Sequence, residues 1–432
     1  MGLARALATA GASATVLSLA APEAAAGLSG LARRLRTVKL VTRDGARDVA
    51  LFEGKAPLSQ AQLLVVAAEG ATRGESAALL AGAARALVAD GLLAKADVAI
   101  AWGETAALAL SVVPAAARFF VVPGGRVGGA LSTAEMELVE AAGVGSVAVG
   151  NRYLGAVGAA FANAIVAPSP SSARLLESDV SFAERASDEP FVAVRFGCDD
   201  PPNDPATDTA LPANFSTKAS ASASASANPM IGKLECRRVL TRRYSLALGP
   251  RTLLLGTAQL KRGKGGEELL SVLESLAKLD VVTVVPGDGD PELLERARKL
   301  AMQSPARLAV LDTDDAQERI LRASADAVLC VDPDDRTGRA AGLAQRYGAL
   351  PLALDTNASR DYLVDYDVPS ATGSAILFGS LDAYEIEGAV RRALALRADA
   401  DAFAPLVQRL MEVAPRWSQT AAAFEEISAT FA

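Results

Sequence analysis

Residues 253–292, LLLGTAQLKRGKGGEELLSVLESLAKLDVVTVVPGDGDPE, set two apolar runs around a glycine-rich basic loop and an amphipathic stretch. Leu253–Leu255 stops at Gly256, as a strand buried on both faces does. Lys261, Arg262 and Lys264 follow, interleaved with Gly263, Gly265 and Gly266, and Glu267 opens an amphipathic run to Leu279. A second apolar run, Val281–Val285, ends before Gly287-Asp288-Gly289. Strand, loop, helix, strand is one βαβ unit of a doubly wound α/β sheet. The loop has two readings. Its glycines let backbone N–H groups approach a phosphate, with the helix N-terminus and Lys264 adding positive potential, or they only close a tight turn.

The same alternation extends in both directions. Gln62–Ala67, Val98–Ala101, Arg118–Val122, Ser146–Val149 and Ile165–Ala167 read as strands in the first half, with helices at Gly74–Leu87 and Thr133–Ala142. Leu253–Leu255, Val281–Val285, Leu308–Leu311, Ala327–Cys330 and Leu350–Leu354 repeat the pattern in the second. Such alternation predicts parallel sheets with helices on both faces. The low-complexity run ASASASASANP, Ala219–Pro229, separates the halves and reads as a flexible connection. The expected domains are 1–197, a linker 198–248, a second domain 249–413 and a closing helix 414–432.

Composition narrows the function classes. A chain of 432 residues suffices for two cored domains, and its net charge of -7 with no long basic stripe argues against a nucleic-acid partner. The apolar stretch Ala106–Val122 contains Pro114 and Arg118, so no membrane span is expected. The three cysteines, Cys198, Cys236 and Cys330, lack paired-ligand spacing and read as small buried hydrophobes. The chain has no histidine, which removes histidine acid–base catalysis, the usual triads and histidine metal sites. Carboxylates cluster at Asp332, Asp334 and Asp335 and at Asp312, Asp314 and Asp315; they read as solvated loop acids or carboxylate metal ligands, and no metal site is assigned. Trp102 suits a sugar-stacking platform or core packing, and Gly124-Gly125-Arg126 with Gly128-Gly129 a phosphate nest or an open loop.

Several blocks carry a resemblance to a known family. Leu260, Lys264-Gly265 and Glu267, followed by PGDGDPELLE at Pro286–Glu295, resemble the S-R-L-x-x-Q-K-G-x-D and G-x-G-D-P-x-L-E motifs of bacterial glycogen synthases and plant starch synthases. GCDDPPNDPATDTALPANFS, Gly197–Ser216, is similar to that family's G-I-D-x-x-x-W-N-P-A-T-D-x-x-L-P-A-N-Y and is the most specific match. ANAIVAPSPSSARLLE at Ala162–Glu177, RYGALPL at Arg346–Leu352, and a tail with Trp417 and Phe424 fall in the family's order. The resemblance implies a GT-B fold: two Rossmann-like doubly wound domains facing a cleft, with a C-terminal helix crossing back. It also implies glucosyl transfer from ADP-glucose or UDP-glucose to an α-1,4-glucan, without a separate cofactor.

Carried over position by position, the resemblance implies that Lys264, Gly265, Gln259, Gly338 and Thr356 face the donor and that Asp335 stands near the sugar. The departures concern charge and glycine. Gln259 stands where the family has arginine, and Asp335-Arg336-Thr337-Gly338 where it has E-P-C-G. The T-G-G-L turn is Thr356-Asn357-Ala358-Ser359, and the histidine segment of the first domain is Asp97–Ala106 without any histidine. Glutamine lacks the cation and the fork of arginine, and a carboxylate one methylene shorter is displaced by about 1 Å. These substitutions predict impaired activity, or an inactive relative that binds glucan or a partner synthase; a different sugar donor is a third reading. Residues 1–27 suit a secretory leader, or a helix Leu3–Ala10 turning into a strand Ala14–Leu19. The resemblance favours the helix and a cytoplasmic protein, and leaves a first strand with a K-x-G-G-L loop expected upstream of Met1.

Overall fold

A computed structural model describes residues 1–28, 30–42, 45–142, 152–183, 190–217 and 226–431. The strand expected at Ser146–Val149 and all but the last residues of the Ala219–Pro229 run lie outside them. The chain forms two compact units, Met1–Phe196 with Trp417–Ala432, and Gly197–Arg416.

In the first unit, β1 (Thr15–Ala20), β2 (Leu31–Thr42), β3 (Gly45–Lys55) and β4 (Gln62–Ala67) form a sheet in the order β1-β4-β3-β2. β1 is parallel to β4, whereas β3 is antiparallel to both β4 and β2. The β2–β3 hairpin departs from the all-parallel expectation. Val38 and Leu40 alternate with exposed residues, and together with Val49 and Leu51 they bury one face against Leu79, Ala83 and Leu87 of the helix Arg73–Ala89. The hairpin is exposed on its other face at Thr37, Lys39 and Asp48 but covered at Phe52, which joins Ala25, Leu63 and Val65 in a second cluster.

A second sheet of this unit, β5 (Ala96–Trp102), β6 (Ala115–Val121), β7 (Ala164–Ala167) and β8 (Phe191–Ala193), is parallel throughout. The closing helix Trp417–Ala429 packs Trp417, Ala421 and Phe424 into one apolar cluster with Phe119, Val121 and Val166. The helix Gly2–Thr9 precedes β1, where the sequence places a helix and a strand.

The second unit holds one parallel sheet of β9 (Leu253–Thr257), β10 (Val281–Val285), β11 (Leu308–Val310), β12 (Ala327–Cys330), β13 (Leu350–Leu354) and β14 (Ile376–Phe378). Its order, β11-β10-β9-β12-β13-β14, reverses direction between β9 and β12. Every residue of β9 and β10 is buried, which accounts for their uninterrupted apolar runs. With the helix Gly266–Leu276 between them, they make the βαβ unit expected from residues 253–292.

The described residues of 198–248, a segment read from the sequence as a linker, belong to this unit instead. The physical reason is a buried carboxylate. Asp208 is 1% exposed and accepts from Arg319 Nε at 3.0 Å, from the Tyr347 hydroxyl at 2.9 Å and from the Ala210 amide at 2.9 Å. Burial pushes the Tyr347 phenol well above its ordinary range, so it stays a donor. Asp204 pairs with Arg346 at 2.9 Å and caps the Ala206 amide, so both residues of the Arg346-Tyr347 pair are held by the 197–216 segment. The helix Pro229–Arg243 is fixed the same way. Its Lys233 is 2% exposed, and the amine donates to the carbonyls of Ala323, Ala325 and Tyr347 at 3.2, 2.8 and 2.9 Å.

Removing one member of a buried pair leaves the other charge uncompensated. Asp208→Ala is therefore expected to destabilise the second unit by roughly 3 kcal/mol, and Tyr347→Phe by about 1 kcal/mol, in urea unfolding.

Candidate functional site

In an open parallel sheet, ligands bind outside the carboxyl ends of the strands, where the strand order reverses. In the second unit this point lies between β9 and β12. The loops that leave those two strands carry Gln259, Lys264, Gly265, Asp335 and Gly338, and the loop after the neighbouring β13 carries Thr356. All six residues implied by the resemblance thus fall on three adjacent loops at one edge of one sheet.

The β9 loop is held close to β12. Gly265 has φ +80°, and a Cβ there would lie 2.5 Å from the Val331 carbonyl oxygen. Its left-handed conformation starts the helix Gly266–Leu276 and brings Lys264 beside the β12 loop. The Lys264 amine pairs with Asp332 Oδ1 at 3.3 Å and Asp334 Oδ2 at 3.2 Å. Partial burial acts against the charged amine, but its bonds to Asp334 and Asp332 outweigh that and raise its pKa above the ordinary value. The other two cations of the loop are also paired, Lys261 with Asp288 at 3.8 Å and Arg262 with Asp290 at 3.1 Å.

Backbone donors of the loops are engaged as well. The Lys264 and Gly266 amides both donate to the Lys261 carbonyl at 3.2 Å, and the Gly263 amide to Glu267 at 3.2 Å. In the β12 loop, Asp335 Oδ1 accepts from the Thr337 amide, the Thr337 hydroxyl and the Gly338 amide at 2.9, 2.8 and 3.0 Å. Asp335 thereby caps the turn that enters the helix Arg339–Arg346. Gly338, with φ +61°, admits this turn because a Cβ would meet the Tyr362 ring at 2.7 Å. Thr356 forms a reciprocal capping box with Ser359. Gln259 donates to Glu318 at 3.2 Å.

Sequence reasoning missed the partners of these groups. Asp332 and Asp334 stand out in the sequence as a carboxylate cluster; their role as counterions of Lys264 follows only from the neighbouring strands β9 and β12. The second cluster divides its roles, with Asp312 pairing with Arg243, Asp314 capping the helix Asp315–Ser324, and Asp315 pairing with Arg319. In the first unit, Trp102 is 38% exposed at the end of β5, its ring 4.8 Å from Phe196 and 5.9 Å from Trp417. The Gly128 amide donates to Glu104 at 2.8 Å and Arg73 bonds the Gly129 carbonyl at 2.9 Å, so that loop is tied to its own unit.

The fold is that of a GT-B protein, with a first unit of one mixed and one parallel sheet and a second unit whose parallel sheet carries this switch point, and the likeness to solved structures agrees. The catalytic domain of starch synthase IV from Arabidopsis thaliana, solved with ADP and acarbose, matches with a TM-score of 0.80 at 17% identity, over 100% of this chain and 94% of that one. Sucrose-phosphate synthase from Thermosynechococcus elongatus matches with a TM-score of 0.59 at 13% identity. No family model matches the chain. Among curated relatives, the glycogen synthase of Aeromonas hydrophila is 28% identical over 279 residues, 62% of this chain and 55% of its own length. That of Anaeromyxobacter dehalogenans is 28% identical over 284 residues, 64% of this chain and 57% of its own length. The matched region thus spans little more than half of these relatives. The chain is thus similar in sequence to bacterial glycogen synthases and in fold to a plant starch synthase. No helix among the described residues is long and apolar enough to cross a membrane.

The close approach at Gly265 can be tested against its neighbour. Gly263 also has positive φ, +65°, but a Cβ there meets nothing within 4 Å. Gly263→Ala is expected to cost about 1 kcal/mol from conformational strain alone, and Gly265→Ala at least twice as much because the backbone must also move, as read by denaturant unfolding.

Proposed function

We propose that the protein is a glucosyltransferase of the glycogen and starch synthase type, taking ADP-glucose or UDP-glucose as donor and an α-1,4-glucan as acceptor, with impaired turnover. The observation that carries this reading is Lys264. It stands at the switch point of the second unit, beside Gly265 and the start of a helix, where the family's motif has its donor lysine. The ADP found in the starch synthase IV structure supports a nucleotide diphosphate as the class of ligand. Transfer breaks the bond from the sugar carbon to the diphosphate oxygen and forms one to a glucan hydroxyl oxygen, the hydroxyl proton passing to the departing diphosphate. Lys264 would offset charge on the departing diphosphate, and the Thr337 and Gly338 amides would do so if Asp335 released them. Impairment follows from the same geometry, since the fixed cation expected at Gln259 is absent and Lys264 already has two carboxylate partners.

A second reading is a catalytically inactive relative that binds α-glucan or a partner synthase. It is favoured by the Asp335 carboxylate, which is engaged in capping its own loop.

Incubation with radiolabelled ADP-glucose, and in parallel UDP-glucose, with glycogen as acceptor separates the two. Slow incorporation that falls by about tenfold or more in Lys264→Ala is expected for the transferase, the scale of losing one charge-stabilising contact. Incorporation no greater than that of Lys264→Ala removes the transferase, and co-sedimentation with glycogen then tests the second reading.

A further inference from the structure

Lys264 carries the single positive charge that the proposed donor site retains from the family motif, and it is paired from within the protein. Asp332 and Asp334 approach its amine at 3.3 and 3.2 Å from the β12 loop. The encounter is built into the backbone rather than left to side-chain choice. Gly265 packs on the Val331 carbonyl, one residue before Asp332, so the two loops cannot separate without disturbing the switch point. Asp332 Oδ1 also accepts the Asp334 amide at 2.9 Å, which turns both carboxylates towards the same amine. Two carboxylates against one ammonium leave a net negative charge at the place a diphosphate would occupy.

We infer that Asp332 and Asp334 are affinity-determining residues of the donor site, acting as built-in competitors of the donor diphosphate for the Lys264 amine. The inference rests on the reading of Lys264 as the donor lysine. A diphosphate must displace both carboxylates from the amine and also bear their repulsion at short range. All three side chains are only half buried, 42%, 38% and 36% exposed, so water screens the pairs and the competition is modest rather than absolute. Binding is weakened, not abolished. The site would favour ligands that place less negative charge beside Lys264, a nucleoside monophosphate losing less affinity than a diphosphate.

The test is ADP binding to the full chain by titration calorimetry, with AMP in parallel. Asp332→Asn/Asp334→Asn keeps the Asx turn, because an asparagine oxygen still accepts the Asp334 amide, and it should match the wild-type melting temperature. The double variant is expected to bind ADP about tenfold more tightly than wild type, the scale of releasing two half-exposed pairs, with a smaller gain for AMP. In a Lys264→Ala background the same two substitutions are expected to gain less than about threefold, since the competition acts through the amine. A merely structural role would not produce that dependence on Lys264. Unchanged or weaker ADP binding by the double variant, in a protein whose ADP binding is weakened by Lys264→Ala, overturns this inference and leaves the donor site standing. An equal gain with and without Lys264 also overturns it. Absence of ADP binding by every form overturns both the inference and the donor-site reading.

Discussion

The second unit is organised around one carboxylate that has no access to water. Asp208 is held by Arg319, Tyr347 and the Ala210 amide, and a charge so placed is tolerated only when its partners are fixed. Those partners come from the helix Asp315–Ser324 and the end of the helix Arg339–Arg346, elements that follow β11 and β12. The carboxylate therefore determines how residues 197–216 lie on the sheet, and through Arg346 and Asp204 it is doubled a few residues away. Lys233 extends the arrangement by binding three carbonyls at the ends of the same helices. Gly197–Ser216 and Arg346–Leu352, two of the blocks that carry the resemblance to glycogen and starch synthases, are the two halves of that contact.

At the carboxyl ends of β9, β12 and β13, the groups that would meet an anion are satisfied from inside. Lys264 has Asp332 and Asp334, the Gly338 amide has Asp335, and the Thr356 and Ser359 amides have each other's side chains. Charge at such an edge can be reassigned with little effect on the core, because half-exposed pairs contribute little to stability. Architecture and binding chemistry are thus carried by different residues of one unit. The first can be retained while the second changes.

Much of this was legible in the sequence where local pattern and fold agree. The run 253–292 specified β9, its loop, the helix and β10, because buried parallel strands are continuously apolar and the loop is marked by glycine. Lys264 could be singled out on the same grounds. The β2–β3 hairpin was not read, although Val38 and Leu40 alternate with Thr37 and Lys39 ahead of Asp44-Gly45, a dipeptide common in hairpin turns. Basic residues at Arg33, Arg34, Arg36 and Lys39 obscured that alternation. Long-range partners were beyond reach. Asp334 lies 70 positions from Lys264, and Tyr347 139 from Asp208, so only the sheet order brings them together. The 198–248 segment was misread for the same reason, since nothing local to Asp208 announces a buried carboxylate.

Native-state hydrogen exchange on the full chain tests the central claim most directly, that the 197–216 block is an integral part of the second unit's core. The Asp208 amide donates to the Asp204 carbonyl at 2.7 Å and the Phe215 amide to the Pro205 carbonyl at 3.0 Å. Both amides are expected to exchange only through global unfolding, with the same denaturant dependence as the buried amides of β9 and β10. Rapid exchange of these two amides by local opening, while β9 and β10 remain protected, would contradict the account.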